Sequence, residues 1–142
     1  MREVDRVAIE ETGPNLYQMM ENAGRNLATL AMNILGDKWD KANILVMAGL
    51  GGNGGGGISA ARHLANRNAR VTLSLSNPDR LGEVPDFQYE IFKSTSGKVV
   101  DLDNIDPKDI DLIIDALIGY SLKGSPRGWI RTTDTGLMRA PL

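Results

Sequence analysis

The residues able to do chemistry fall in two short stretches. Gly49-Leu50-Gly51-Gly52-Asn53-Gly54-Gly55-Gly56-Gly57 places seven glycines in nine residues, and Asp115 ends an apolar run that leads into Gly119-Tyr120-Ser121-Leu122-Lys123-Gly124-Ser125. Bare glycine backbone reaches φ > 0 without strain and lets an anion approach main-chain N–H groups, so the first stretch suits a phosphate. The alternative is a flexible turn with no ligand, at an ordering cost for each glycine that a mere turn would not require. Asn53 is the one polar side chain in the run. Its amide oxygen could coordinate a hard cation or orient a ligand hydroxyl, or the residue could simply serve a turn. Asp115 carries a similar pair of readings, a carboxylate beside a ligand or a turn former. Lys123 could meet a phosphate or stay a solvated loop lysine. His63, the sole histidine, reads as structural or surface, since a lone histidine rarely makes a metal site.

The glycine run contains G-x-G-x-x-G at Gly49, Gly51 and Gly54, but two specific chemistries fit poorly. No acid closes the next strand, which ends in Ser76-Asn77 with Asp79 late, so a plain dehydrogenase reading is weak. No Lys-Ser or Lys-Thr follows the glycines, which excludes a P-loop NTPase.

Strands and helices must hold these stretches in place. Asn43–Ala48 is a short apolar strand before the glycines, and residues 58–66 are helical after them, so the run reads as a loop between strand and helix. Upstream, residues 1–12 form a weakly amphipathic helix ended by Gly13-Pro14. Asn15 then caps a stronger helix with Leu16, Met19, Met20, Ala23, Leu27, Leu30 and Ile34 on one face and Gly36 at its C-cap. Downstream come a strand at Arg70–Leu75, a helix over 86–93, a short strand over 98–101, and a strand over 111–117 that is apolar on both faces. The alternation predicts an α/β fold: one Rossmann-like domain over 1–142, with a doubly wound, mainly parallel sheet and two helices in front. Ligands bind beyond the carboxyl ends of strands in such sheets. The strands at 43–48 and 111–117 are therefore expected as neighbours, with Asn53 and Asp115 facing each other and able to hold a monovalent cation beside a phosphate. A side chain at Gly54 is expected to fill the space the phosphates need while leaving much of the fold.

Composition narrows the classes further. At 142 residues the chain fits one domain. A net charge of −2 argues against a nucleic-acid partner held by a bulk positive field. No apolar run is long enough to span a membrane, and the charged start Met1-Arg2-Glu3-Val4-Asp5-Arg6 is no secretory signal. With no cysteine there is no thiolate chemistry, and a cytoplasmic protein is expected.

Three blocks together resemble the YjeF N-terminal family, the NAD(P)H-hydrate epimerases. They are Met1-Arg2-Glu3-Val4-Asp5-Arg6 with Leu16-Tyr17-Gln18-Met19-Met20-Glu21-Asn22-Ala23-Gly24-Arg25; the glycine run with Ala61-Arg62-His63-Leu64; and the run from Asp111 to Gly119. They resemble the family's opening helices with M-E-N-A-G, its G-x-G-N-N-G-G-D-G loop with A-R-x-L, and its D-L-I-V-D-A-L-F-G block. The resemblance implies a Rossmann-like fold and epimerisation of R- and S-NAD(P)HX at the hydrated carbon of the nicotinamide ring. It also implies dinucleotide contacts at Gly52, Asn53, Gly54, Gly55 and Gly56, and at Gly119, Tyr120, Ser121, Leu122, Lys123, Gly124 and Ser125. A potassium ion would lie at Asn53 and Asp115.

Gly52 and Gly56 stand where the family's loop has Asn and Asp, and the family's later D-x-P-S-G strand, with its acid–base Asp, has no counterpart in these 142 residues. The catalytic residue is therefore unassigned. The expectation is a truncated or degenerate member, silent alone, whose bare 111–117 edge makes it oligomeric or prone to aggregate. The alternative is a non-catalytic binding or scaffold domain, as in relatives that serve RNA-decapping assemblies.

Overall fold

Asn15 opens the longest helix with a reciprocal cap. Its side chain accepts from the Gln18 N–H at 2.9 Å, and the Gln18 side chain accepts from the Asn15 N–H at 2.9 Å, so two N–H groups that a helix start would leave unpaired are satisfied. This helix, α2 (Leu16–Leu35), ends at Gly36, which sits at φ 58° and donates to the Met32 carbonyl. A short α1 (Arg2–Val7) precedes it and continues into a π-helical turn, Ala8–Thr12. Arg6 bridges Glu3, Glu10 and Glu11 across that junction. The computed structural model describes residues 2–119 and 137–138.

Five strands form one sheet in the order β3-β2-β1-β4-β5. These are β1 (Asn43–Ala48), β2 (Arg70–Leu75), β3 (Lys98–Val99), β4 (Leu112–Ala116) and β5 (Leu137–Met138). The first four run parallel, with β1 in the centre paired to β2 from Asn43↔Arg70 to Ala48↔Leu75 and to β4 from Ile44↔Leu112 to Ala48↔Ala116. The crossover helices are α3 (Gly52–Ala65) and α4 (Glu83–Phe92). Ile44, Val46, Val71, Leu73, Leu112 and Ile114 alternate along their strands into the core, against Ile58, Ala61 and Leu64 of α3 and Phe92 of α4. At the opposite end of the sheet, Asp111 accepts from the Asn43 N–H at 2.8 Å and the Asn43 amide donates to the Asp109 carbonyl at 2.8 Å, which fixes the β1–β4 register.

Five expectations change. The glycine run is a loop only at Gly49, Leu50 and Gly51; from Gly52 onward it is the first two turns of α3. None of its glycines has a positive φ, so backbone freedom is not their reason; at Gly49, Gly54 and Gly57 it is the missing Cβ, since one added there would fall within 2.5 Å of a neighbour. The buried face of α2 is Gly24, Ala28 and Ala31, flanked by Leu27 and Leu35, whereas Leu30 and Ile34 are exposed. A stripe of small residues lets α2 sit close on α3, and that contact outweighed the larger apolar stripe beside it. The strand expected at 98–101 is two residues long, and α4 begins three residues early, at Glu83. Finally, the edge of β4 expected to be bare is partly covered: β5 pairs with it antiparallel, Ile113↔Met138 and Ile114↔Leu137.

Candidate functional site

Three connections meet at the carboxyl end of the sheet. The Gly49 N–H donates to the Ala116 carbonyl at 3.0 Å, the Ser76 N–H to Ala48 at 3.0 Å, and the Gly82 N–H to Leu50 at 3.2 Å. The turn after β1 is thus tied to the ends of β4 and β2 and to the start of α4. A Cβ on Gly49 would lie 1.9 Å from the Leu117 carbonyl oxygen, and one on Gly54 would lie 1.9 Å from the Gly49 oxygen. Only glycine lets these backbones approach so closely.

α3 starts here with Gly51 as its N-cap, and no side chain caps it. The N–H groups of Gly52, Asn53 and Gly54 belong to the helix's first turn and have no intrahelical acceptor, which makes this end a cradle for an anion. Gly55 differs, since its N–H donates to the Gly51 carbonyl at 2.9 Å. Gly54, Gly55 and Gly56 are buried, Gly55 beneath Met20 and Pro85, so their role here is packing, while Gly52 and Asn53 reach solvent.

Asn53 donates from its amide nitrogen to the Ile118 carbonyl at 3.1 Å, and Gly119 packs on its Cβ. Its Oδ1 has no partner among the described residues. Asp115 leaves β4 on the face opposite Ala116, the residue against which Gly57 packs. It is half-buried, and its Oδ1 accepts from the Leu117 N–H at 3.0 Å, a local turn bond. Asn53 and Asp115 therefore engage the two ends of the same short segment, 117–119. The expected contacts at Tyr120, Ser121, Leu122, Lys123, Gly124 and Ser125 lie outside the described residues. Among the described residues no three Asp, Glu or His side chains gather as a metal cluster, so any cation here would rely on the Asn53 amide, Asp115 and carbonyl oxygens.

Behind this end, three helices are locked by a network that spacing alone did not reveal. Glu21 of α2 bridges Arg62 of α3, and its other oxygen lies 2.9 Å from His63 Nε2. Arg62 also donates to the Gln88 side-chain oxygen of α4 at 3.3 Å. Burial pushes the Glu21 carboxyl up, but Arg62 and His63 outweigh it and hold the group below the usual carboxylate range. Burial and the neighbouring Arg62 push His63 down against the pull of Glu21. His63 is thus a structural group, as expected for a lone histidine on this helix.

A family model described as YjeF-related protein N-terminus matches residues 16–135. Among curated proteins the chain is 52% identical over 128 residues to an NAD(P)H-hydrate epimerase of Dehalogenimonas lykanthroporepellens, which covers 90% of this chain and 52% of that relative. It is 39% identical over 114 residues to an NAD(P)H-hydrate epimerase of Nitrosopumilus maritimus, covering 77% and 52%. It is 32% identical over 151 residues to the bifunctional NAD(P)H-hydrate repair enzyme Nnr of Salinibacter ruber, covering 95% and 28%. The chain spans about half the length of the two epimerases. Among solved structures, a yeast protein matches with a TM-score of 0.76 at 24% identity, covering 89% of this chain and 57% of that one, a likeness of fold.

Proposed function

Because this chain belongs to the YjeF-related N-terminal family, we propose that it is an epimerase-like domain that binds hydrated nicotinamide dinucleotides in the repair reaction interconverting R- and S-NAD(P)HX, in a cytoplasmic setting. One observation carries the reading beyond membership. The open first turn of α3 and the segment after β4 are held against each other by Asn53. This supports a pyrophosphate on the solvent-facing N–H groups of Gly52 and Asn53, at the positive end of the helix, with one nucleoside of the dinucleotide running toward residues 119–125.

A potassium ion belongs to the same proposal. Asn53 Oδ1 and Asp115 Oδ2 flank one segment, carry no hydrogen bond among the described residues, and are the all-oxygen donors a hard cation takes. Bound there, the cation would offset the charge of the pyrophosphate. Asn53 would serve twice, its nitrogen on Ile118 and its oxygen on the ion. Epimerisation further requires a proton donor and acceptor within hydrogen-bond reach of the ring.

Gly52 and Gly56, in place of the Asn and Asp of the resembled loop, favour a second reading, a domain that binds the dinucleotide without turning it over. The purified chain incubated with R-NADHX in potassium or sodium buffer, with the epimers separated chromatographically, tests both. Conversion that rises with potassium and loses that response in Asp115→Asn supports the first reading. Calorimetric binding without conversion supports the second. Neither binding nor conversion overturns both.

A further inference from the structure

A pyrophosphate joins two nucleosides. With one of them running toward residues 119–125, the other falls on the opposite side of the turn after β1, at the end of β2. That side is held close. The Ser76 N–H donates to Ala48 at 3.0 Å and the Gly82 N–H to Leu50 at 3.2 Å, and Leu50 stands just ahead of the open first turn of α3. The segment that follows β2 therefore meets the ribose at that end. In sheets of this kind a carboxylate there accepts from the ribose 2′-hydroxyl and selects the unphosphorylated nucleotide, whereas an arginine accommodates a 2′-phosphate.

The first residue beyond β2 is Ser76, exposed and uncharged. The Asn77 side chain then accepts from the Asp79 N–H at 3.1 Å, and Pro78–Arg80 form a single 3-10 turn. Three residues per turn set neighbours about 120° apart, so Asp79 and Arg80 leave the turn in different directions. Leu81 decides which of them is carried toward the ligand. Its backbone is extended, at φ −60° and ψ 139°, and its side chain packs on the core. Residues flanking an extended position lie on its other side. For Gly82 that side faces the Leu50 carbonyl oxygen, 3.5 Å from where a Cβ would stand. Arg80 shares that side. It is exposed, and its guanidinium has no hydrogen bond or ion pair among the described residues.

We propose that the turn after β2 makes this chain selective for the 2′-phosphorylated dinucleotide, NADPHX over NADHX, an inference that rests on the dinucleotide reading above. The Arg80 guanidinium holds the 2′-phosphate through paired N–H donors, and the Ser76 hydroxyl donates to the same group. No carboxylate stands at the end of β2 to repel it.

The probes are NADP+ and NAD+, which share ring and pyrophosphate and differ only in the 2′-phosphate, titrated calorimetrically into the full chain. NADP+ should bind about tenfold to a hundredfold more tightly, the range expected for hydrogen bonds to a charged group. Arg80→Ala should bring the two affinities together. Ser76→Glu, at an exposed position, should reverse the preference, because the new carboxylate repels a phosphate and accepts from a free 2′-hydroxyl. Asp79→Asn should leave the preference as it is. Melting curves confirm that each variant folds, and the three exposed positions give three independent readings should one of them fail. Equal affinity of the wild type for the two nucleotides would overturn the selectivity while leaving the dinucleotide reading in place. So would tighter binding of NAD+ that Asp79→Asn abolishes, since Asp79 would then be the ribose acceptor. Binding of neither nucleotide would overturn both.

Discussion

At the scale of single residues, the α2–α3 contact turns on an unusual pair. Ser59 is fully buried, its hydroxyl has no hydrogen-bond partner, and it lies against Gly24, where an added Cβ would sit 2.2 Å from its Oγ. Removing an orphaned hydroxyl relieves its desolvation cost, so Ser59→Ala should raise stability by about 1 kcal/mol in urea unfolding. Gly24→Ala should lower it by roughly 1–3 kcal/mol, because the Ala60 backbone nitrogen, only 2.8 Å from the new Cβ, cannot yield.

Two titratable groups of the network between α2 and α3 add a pH dependence. His63 has a folded pKa below its ordinary 6.5, because burial and the Arg62 charge outweigh the pull of Glu21, with Arg67 adding to the depression. The unfolded chain therefore takes up the proton first, and stability falls as pH drops below about 6.5. Glu21, with its carboxyl depressed, contributes stability that is complete above 4.5 and is lost as pH falls further. Thermal melts of the wild type should decline from pH 7 to 5, and His63→Gln should flatten that slope while leaving the loss below pH 4.5.

At the scale of elements, α3 is a helix that its own composition opposes. Gly52, Gly54, Gly55, Gly56 and Gly57 lie within it, and each glycine costs about 1 kcal/mol relative to alanine in a helix. Two of these glycines, two residues apart, should respond oppositely to the same change. At Gly54 a Cβ would strike the Gly49 backbone, so Gly54→Ala should unfold much of the chain, which corrects the expectation that a side chain there would cost only ligand binding. At Gly56 a Cβ would lie 3.9 Å from the Ala23 Cβ, an ordinary contact, so Gly56→Ala should stabilise by about 0.5–1 kcal/mol. Circular dichroism melts of the two variants check both. Equal effects would show that the glycines are not chosen for their neighbours.

At the scale of the whole molecule, the β4 edge is where pairing by another chain is expected to be controlled. β5 supplies pairing for Ile113 and Ile114, so deleting residues 137–142 should bare two apolar positions of an edge strand. Sedimentation velocity should then show concentration-dependent association that the full chain lacks. If the full chain associates as strongly, the two residues of β5 do not protect the edge.

The sequence alone determined the elements whose signals are local. Asn15 and Gly36 marked the ends of α2 because caps are written in adjacent residues, and the apolar runs at β1 and β4, with strands and helices in alternation, announced a parallel sheet because burial on both faces leaves few polar positions. The order of blocks around Glu21, the glycines and Asp115 also sufficed to place the chain in its family. Only the tertiary structure decided the rest. That Gly54 and Gly57 must be glycine in the helix depends on the Gly49 backbone and the Ala116 side chain pressing where their side chains would be, and the Ala116 contact is distant in sequence. That Gly24 and Ala28, and not Leu30 and Ile34, face the core depends on how close α3 comes. That Glu21, Arg62, His63 and Gln88 meet depends on how α2 and α4 pack along the last turn of α3, and no spacing along the chain encodes a meeting set by packing.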